Sequence, residues 1–138
     1  MCGIFGYSGP KNAPEIILEG LKRLEYRGYD SWGIAVVADQ IRLEKKTGAI
    51  GDLNTLNSEL ITLNSRTGIG HTRWATHGGI SEANAHPHFS TDKSFCLAQN
   101  GIVENYQTLK ADLIKKGYKF QSETDTEVIV RLIEEQLK

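Results

Sequence analysis

Proline and cysteine are scarce in this 138-residue chain, with three of the first and two of the second. So few prolines leave no rigid linker, and no repeat or low-complexity tract accompanies them, so no domain boundary is predicted. Cys2 and Cys96 are too few for a disulfide framework and form no close pair for a structural metal site; either one matters, if at all, as a thiol. No stretch approaches the ~18 consecutive apolar residues of a membrane span, and the N-terminus lacks the basic and apolar regions of a signal peptide. A cytoplasmic protein with no membrane partner is expected. Charge of one sign is missing as well: 16 basic side chains face 17 acidic ones, for a net charge of -1. Without a basic run there is no electrostatic footprint for nucleic acid. What is present is an ordinary globular composition, 39% hydrophobic and 24% charged. At this length one domain burying roughly 68–70% of its unfolded surface is expected.

The 14 glycines punctuate short apolar runs. Residues 3–9 read as a buried strand that something approaches closely. Asn12 is placed to cap a helix with Pro14 in its first turn; Ile17, Leu21 and Leu24 keep helical spacing until Gly28 ends it. Residues 32–38 read as a strand buried on both sides, and residues 41–46 alternate as a half-exposed partner across the short Asp39-Gln40 connection, a hairpin. A weaker helical pattern runs from Asp52 to Leu63. Residues 67–72 and 94–98 read as two more strands, flanking a polar, histidine-rich loop. Asn105 caps a helix that carries Tyr106, Leu109 and Leu113 and stops at Gly117, and Thr124-x-x-Glu127 spells a capping box before Val128, Ile129, Leu132 and Ile133. Hairpins mixed with helices predict an α+β domain of antiparallel sheet covered by helices.

Several residue types suit chemistry, each with a plainer alternative. Once Met1 is removed, Cys2 carries its own base: a free α-amine near pKa 7.7–8.0 can take the proton of a thiol near 8.5. Cys2 also reads simply as a small strand residue. Arg73, beside Trp74, Thr76 and His77, offers a planar fork for a carboxylate, with Trp74 as its shield from water, or is an exposed arginine next to a core tryptophan. Asn100-Gly101 reads either as a hairpin turn or as an oxyanion hole, the side-chain amide and the glycine N–H facing a developing negative oxygen. Asp125, in a first helical turn, is held ionised by the helix dipole and suits an ammonium group, or is ordinary helix decoration. The four histidines show no zinc-site spacing, and His86-Pro87-His88 is read as shaping its loop; no metal and no cofactor are expected.

Taken together, Met1-Cys2-Gly3-Ile4, Glu25-Tyr26-Arg27-Gly28-Tyr29-Asp30-Ser31, His71-Thr72-Arg73-Trp74-Ala75-Thr76-His77-Gly78, Asn84-Ala85-His86-Pro87-His88, Asn100-Gly101-Ile102-Val103-Glu104-Asn105 and Ser122-Glu123-Thr124-Asp125-Thr126-Glu127 resemble the N-terminal glutaminase domain of the glucosamine-6-phosphate synthase (glutamine-fructose-6-phosphate aminotransferase) family, among the class II glutamine amidotransferases. The resemblance runs end to end. It implies an N-terminal nucleophile hydrolase fold, an αββα four-layer sandwich of antiparallel sheets. Residues 1–138 would be a partial glutaminase domain, incomplete on its C-terminal side, with the isomerase domains absent. It also implies roles: Cys2 as nucleophile attacking the side-chain amide of L-glutamine to give a thioester and ammonia; Asn100 and Gly101 for the oxyanion; Arg73 for the α-carboxylate; Asp125 for the α-amino group; and Trp74, Thr76, His77 and His86 for the pocket. The implied partners are C-terminal isomerase domains that turn fructose 6-phosphate into glucosamine 6-phosphate, in a homo-oligomer. Gln99, where the family usually has histidine, and Trp32, where a small residue is usual, predict altered local geometry. The competing reading is a non-catalytic glutamine-binding or assembly piece whose site is idle while Met1 keeps Cys2 amide-linked.

Overall fold

In the computed structural model, which describes residues 1–51 and 59–138, the elements run β1 (Gly3–Ser8), α1 (Ala13–Leu24), a single 3-10 turn (Glu25–Arg27), β2 (Ser31–Val37), β3 (Ile41–Thr47), β4 (Thr67–Arg73), β5 (His88–Phe89), β6 (Cys96–Leu97), α2 (Tyr106–Lys115) and α3 (Asp125–Gln136). Every described pairing is antiparallel: β1-β4-β2-β3 form one sheet and β5-β6 a second, smaller one. Helix α1 packs on β1, β4 and β2, whereas α3 packs on β5 and β6 and against α2. The antiparallel α+β expectation and the β2–β3 hairpin are both met.

Alternation along the strands divides the large sheet into two faces. Trp32, Ile34 and Val36 of β2 join Ala13, Ile17, Leu18 and Leu21 of α1 in the main core. Gly68 and Gly70 of β4 lie on this same face, where a Cβ would press on Ile17 and Leu21, so their bare backbones let the helix settle close to the sheet. The opposite face carries His71 and Arg73 of β4, with Gly33 of β2 directly beside His71 in the register. A Cβ at Gly33 would collide with the backbone oxygen of His86 and lie 3.1 Å from that of Glu44. This gap is where the histidine-bearing segment before β5 seats itself against the sheet.

Some local expectations change. None of Asn12, Asn105 and Thr124 makes a side-chain cap hydrogen bond. The Asn12 amide instead donates to Ile61 O at 3.1 Å and Glu15 Oε1 at 3.3 Å. Glu127 does reach back, but past the N-cap, its Oε2 accepting from the Ser122 N–H and hydroxyl, its Oε1 accepting from Arg131 at 2.7 Å, and both oxygens sharing the Gln121 N–H. Helix α1 stops at Leu24, earlier than Gly28, because a 3-10 turn intervenes before Gly28 leaves it with φ +106°. Residues 94–98 narrow to the two-residue β6, and its partner β5 lies in what reads as loop. Of the helical pattern over 52–63, residues 52–58 lie outside the described residues and 59–63 form turns. Trp32 is 1% exposed, with its indole N–H buried and unpartnered.

Gly33→Ala is expected to destabilise the fold by roughly 1–3 kcal/mol, because a backbone oxygen cannot move aside as a flexible side chain does. Denaturant unfolding checks this; a neutral substitution would show that the His86 segment does not rest on β2.

Candidate active site

The turn that ends at Gly28 aims the carbonyl of Arg27 at the start of the chain, where it accepts from the Met1 ammonium at 2.5 Å. Gly28 itself lies beneath Trp74 and Met1: a Cβ there would stand 2.9 Å from the indole and 3.4 Å from the Met1 nitrogen. Cys2 is thereby fixed one residue ahead of β1, beside the end of β4. Its Sγ accepts the backbone N–H of Trp74 at 3.2 Å and lies 3.5 Å from the Trp74 carbonyl, to which the thiol can donate. The next residue in the loop is pinned too, since Asp30 accepts the N–H of Ala75 through Oδ2 and the Ser31 hydroxyl through Oδ1.

Cys2 opens onto a cavity of about 490 Å3. Arg73, Trp74, Thr76, His77, His86, Asn100, Gly101 and Asp125 all line it, so every candidate site residue read from the sequence faces one space. Met1, Arg27, His71, Gln99, Ile102, Thr124 and Thr126 complete the wall. Asn100-Gly101 is not a hairpin turn, for no strand follows it. The Asn100 amide donates to the carbonyl of Cys2 at 3.1 Å.

Arg73 is 3% exposed and Asp125 5%. Trp74 does not enclose Arg73 as the sequence suggests, being itself 53% exposed. The enclosure comes from the following loop: the guanidinium donates to the carbonyls of His77 at 2.5 Å, Gly78 at 3.3 Å and Gly79 at 3.0 Å. That loop is clamped from behind, where Asn84 donates to Gly79 O at 2.9 Å and Glu123 accepts both from Asn84 and from the Gly79 N–H at 3.1 Å. Asp125 accepts the N–H of Val103 through Oδ2 at 2.7 Å, tying the start of α3 to the segment after Gly101. Gln99 ties the start of α3 to the segment just before Asn100, its Oε1 accepting from Thr126 at 3.0 Å.

Behind the cavity three histidine rings pack in a row. His71 and His86 have centroids 4.3 Å apart, His86 and His88 4.8 Å, and His88 Nε2 meets the Thr124 hydroxyl at 2.8 Å. Burial, foremost, pushes His71 down to about 4 from 6.5 and His88 to about 2, and lowers His86 as well, where cationic His71 and His88 would add repulsion. His86 is therefore neutral, its Nδ1 facing the N–H of Gln99 at 3.5 Å. The supports Asp30, His71, Asn84 and Glu123 have no role in the sequence reading; they fall inside its motif segments, but only the tertiary contacts distinguish them from their neighbours.

Comparison with known proteins places the chain in a family. Residues 57–136, more than half of the chain, match the glutamine amidotransferase domain. The chain belongs to that family. It is 54% identical over 138 residues to the glutamine-fructose-6-phosphate aminotransferase [isomerizing] of Methanococcus maripaludis and 53% identical over 141 residues to that of Tropheryma whipplei. Each match takes in 100% of this chain but 23% of the relative, so the chain spans under a quarter of the length of these curated relatives. A solved structure of the glutamine phosphoribosylpyrophosphate amidotransferase of B. subtilis, complexed with ADP and GMP, superposes with a TM-score of 0.80 at 33% identity, covering 97% of this chain and 29% of that one. The amidotransferase domain thus shares the N-terminal nucleophile hydrolase fold of class II glutamine amidotransferases. Among the described residues no helix is long and apolar enough to cross a membrane.

The buried histidines give the domain a pH-dependent stability of definite sign. Below about pH 6.5 the unfolded chain binds protons on these rings, whereas folded His71 stays neutral until about pH 4. Stability therefore falls as pH drops through this window, by up to ~1.4 kcal/mol per pH unit for each ring. The urea midpoint is expected to be clearly lower at pH 5.0 than at pH 7.5, and an equal or higher midpoint at pH 5.0 would contradict the neutral stack.

Proposed function

We propose that this domain hydrolyses the side-chain amide of L-glutamine through Cys2, and that the ammonia serves a larger aminotransferase that makes glucosamine 6-phosphate from fructose 6-phosphate. The reading rests on one observation: Cys2, Arg73, Asn100, Gly101 and Asp125 face a single cavity, the set of groups that a nucleophile, a developing oxyanion and a zwitterionic amino acid each require. The names of the relatives supply the sugar-phosphate half of the proposal.

With Met1 removed, the amine of Cys2 accepts the thiol proton and Sγ attacks the amide carbon. Negative charge then builds on the amide oxygen. The Asn100 amide and the Gly101 N–H meet that oxygen, each such donor contributing roughly 3 kcal/mol to lowering the barrier. The amine returns its proton to the leaving nitrogen, the C–N bond breaks, and ammonia departs from a glutamyl thioester. Water, deprotonated by the same amine, attacks the thioester, and glutamate leaves as the thiol re-forms. Arg73 and Asp125 bind the charges that glutamine keeps throughout. Arg73 commits N–H donors to three loop carbonyls, yet a guanidinium has five N–H groups, so donors remain for a carboxylate. Asp125 likewise keeps Oδ1 for an ammonium. While Met1 is attached, the Cys2 nitrogen is an amide and cannot act as base; this is the idle state of the site.

In the full chain, processed at Met1, Cys2→Ala is expected to abolish glutaminase activity while glutamine still binds. Retained turnover would show that the nucleophile lies elsewhere. Arg73→Lys is expected to raise KM for glutamine roughly tenfold or more, since a lysine makes neither a planar fork nor three loop contacts; an unchanged KM would remove Arg73 from carboxylate binding.

A further inference from the structure

Asn100 stands on irregular backbone between β6 and α2, exposed at the cavity mouth, where a side-chain amide is free to turn over. Which end it presents decides its effect. Its nitrogen would stabilise an oxyanion; its oxygen would repel one. Two contacts choose between these ends. Nδ2 lies 3.1 Å from the carbonyl of Cys2, which can only accept, and Oδ1 lies 2.8 Å from Nε2 of His71. The first contact requires nitrogen on the Cys2 side, so the second requires that His71 Nε2 carry the proton and donate it. His71 makes this contact at some cost, because its other nitrogen, Nδ1, is buried without a partner.

We infer that His71 is a positioning residue: by donating from Nε2 to Asn100 Oδ1 it locks the amide with its second Nδ2 proton available to the reacting oxygen. The ring is well held for this. It is fully buried on β4, with Gly33 opposite it on β2, and its ring centroid lies 4.3 Å from that of His86, the planes tilted by 33°. The His86–His88–Thr124 row carries that support through to the N-terminus of α3. Burial keeps the ring neutral near pH 7, outweighing the Asn100 side chain and the Gln99 backbone, which favour its protonated form; of the two neutral tautomers only the one protonated at Nε2 donates to Asn100. No other hydrogen bond of Asn100 Oδ1 accompanies this one among the described residues.

The inference rests on the oxyanion reading of Asn100, and a double-mutant cycle in the full chain, processed at Met1, separates the two. Asn100→Ala is expected to lower kcat roughly 100-fold or more. His71→Phe is expected to lower kcat roughly tenfold or more with KM for glutamine unchanged, since only the transition state uses the locked amide. The double variant should then be no slower than Asn100→Ala alone. Should His71→Phe not fold, His71→Gln and His71→Asn replace it. The glutamine amide reaches about where Nε2 lies and restores most of the rate, whereas the shorter asparagine does not. A His71→Phe enzyme with full kcat, effects that simply multiply, or equal rates for the Gln and Asn variants would overturn the inference while leaving the oxyanion reading intact. Full kcat in Asn100→Ala would overturn both.

Discussion

Everything at the site depends on the antiparallel pairing of β1 with β4. Gly3 faces Thr72 and Ile4 faces His71, which carries Cys2 to the Arg73-Trp74 end of β4 although some seventy residues separate them in the chain. The thiol then meets the Trp74 N–H at 3.2 Å. The same register decides faces as well as neighbours. With a period of two, His71 and Arg73 point away from α1 while the slender Gly68 and Gly70 point toward it. A slip of one residue would bury an arginine and a histidine against the apolar helix and turn glycines to the cavity, so the core of α1 specifies the register on which the chemistry relies.

The charged residues of the cavity are held by partial satisfaction. Arg73 and Asp125 are nearly fully buried, and burying either ion without partners would be expensive. Backbone groups carry that load: three loop carbonyls for Arg73 and the Val103 N–H for Asp125. The same bonds shape the walls, since the carbonyls belong to the loop bearing His77 and the N–H to the segment just after Gly101. Binding groups and architecture are one set of interactions. The rings behind them are neutral, which spares the cavity a third, fourth and fifth buried charge.

Much of this was legible in the sequence where the signal is local and periodic. The strands and helices around the α1 core follow from alternation and glycine placement, and Cys2, Arg73 and Asp125 stand out as reactive or ionisable types at element ends, whereas pocket roles for Trp74, Thr76, His77 and His86 come only with the family resemblance. Where geometry is decided by distant partners, local patterns mislead. Thr124-x-x-Glu127 spells a capping box, but Glu127 is drawn to Gln121, Ser122 and Arg131. Asn12 reads as a cap, yet its amide turns to Ile61. Strand β5 is two residues long, too short for any period to show. Asp30, Asn84 and Glu123 act by touching the backbone of other loops, and nothing in their own neighbourhoods signals it.

The most direct test of the account is intact mass after incubation with 6-diazo-5-oxo-L-norleucine, a reactive glutamine analogue. The proposal that Cys2 is the nucleophile of a glutamine-binding cavity predicts a species that lacks Met1 and carries one adduct on Cys2, absent in Cys2→Ala and suppressed by excess glutamine. A processed, folded chain that stays unmodified, or an adduct that persists in Cys2→Ala, would contradict it.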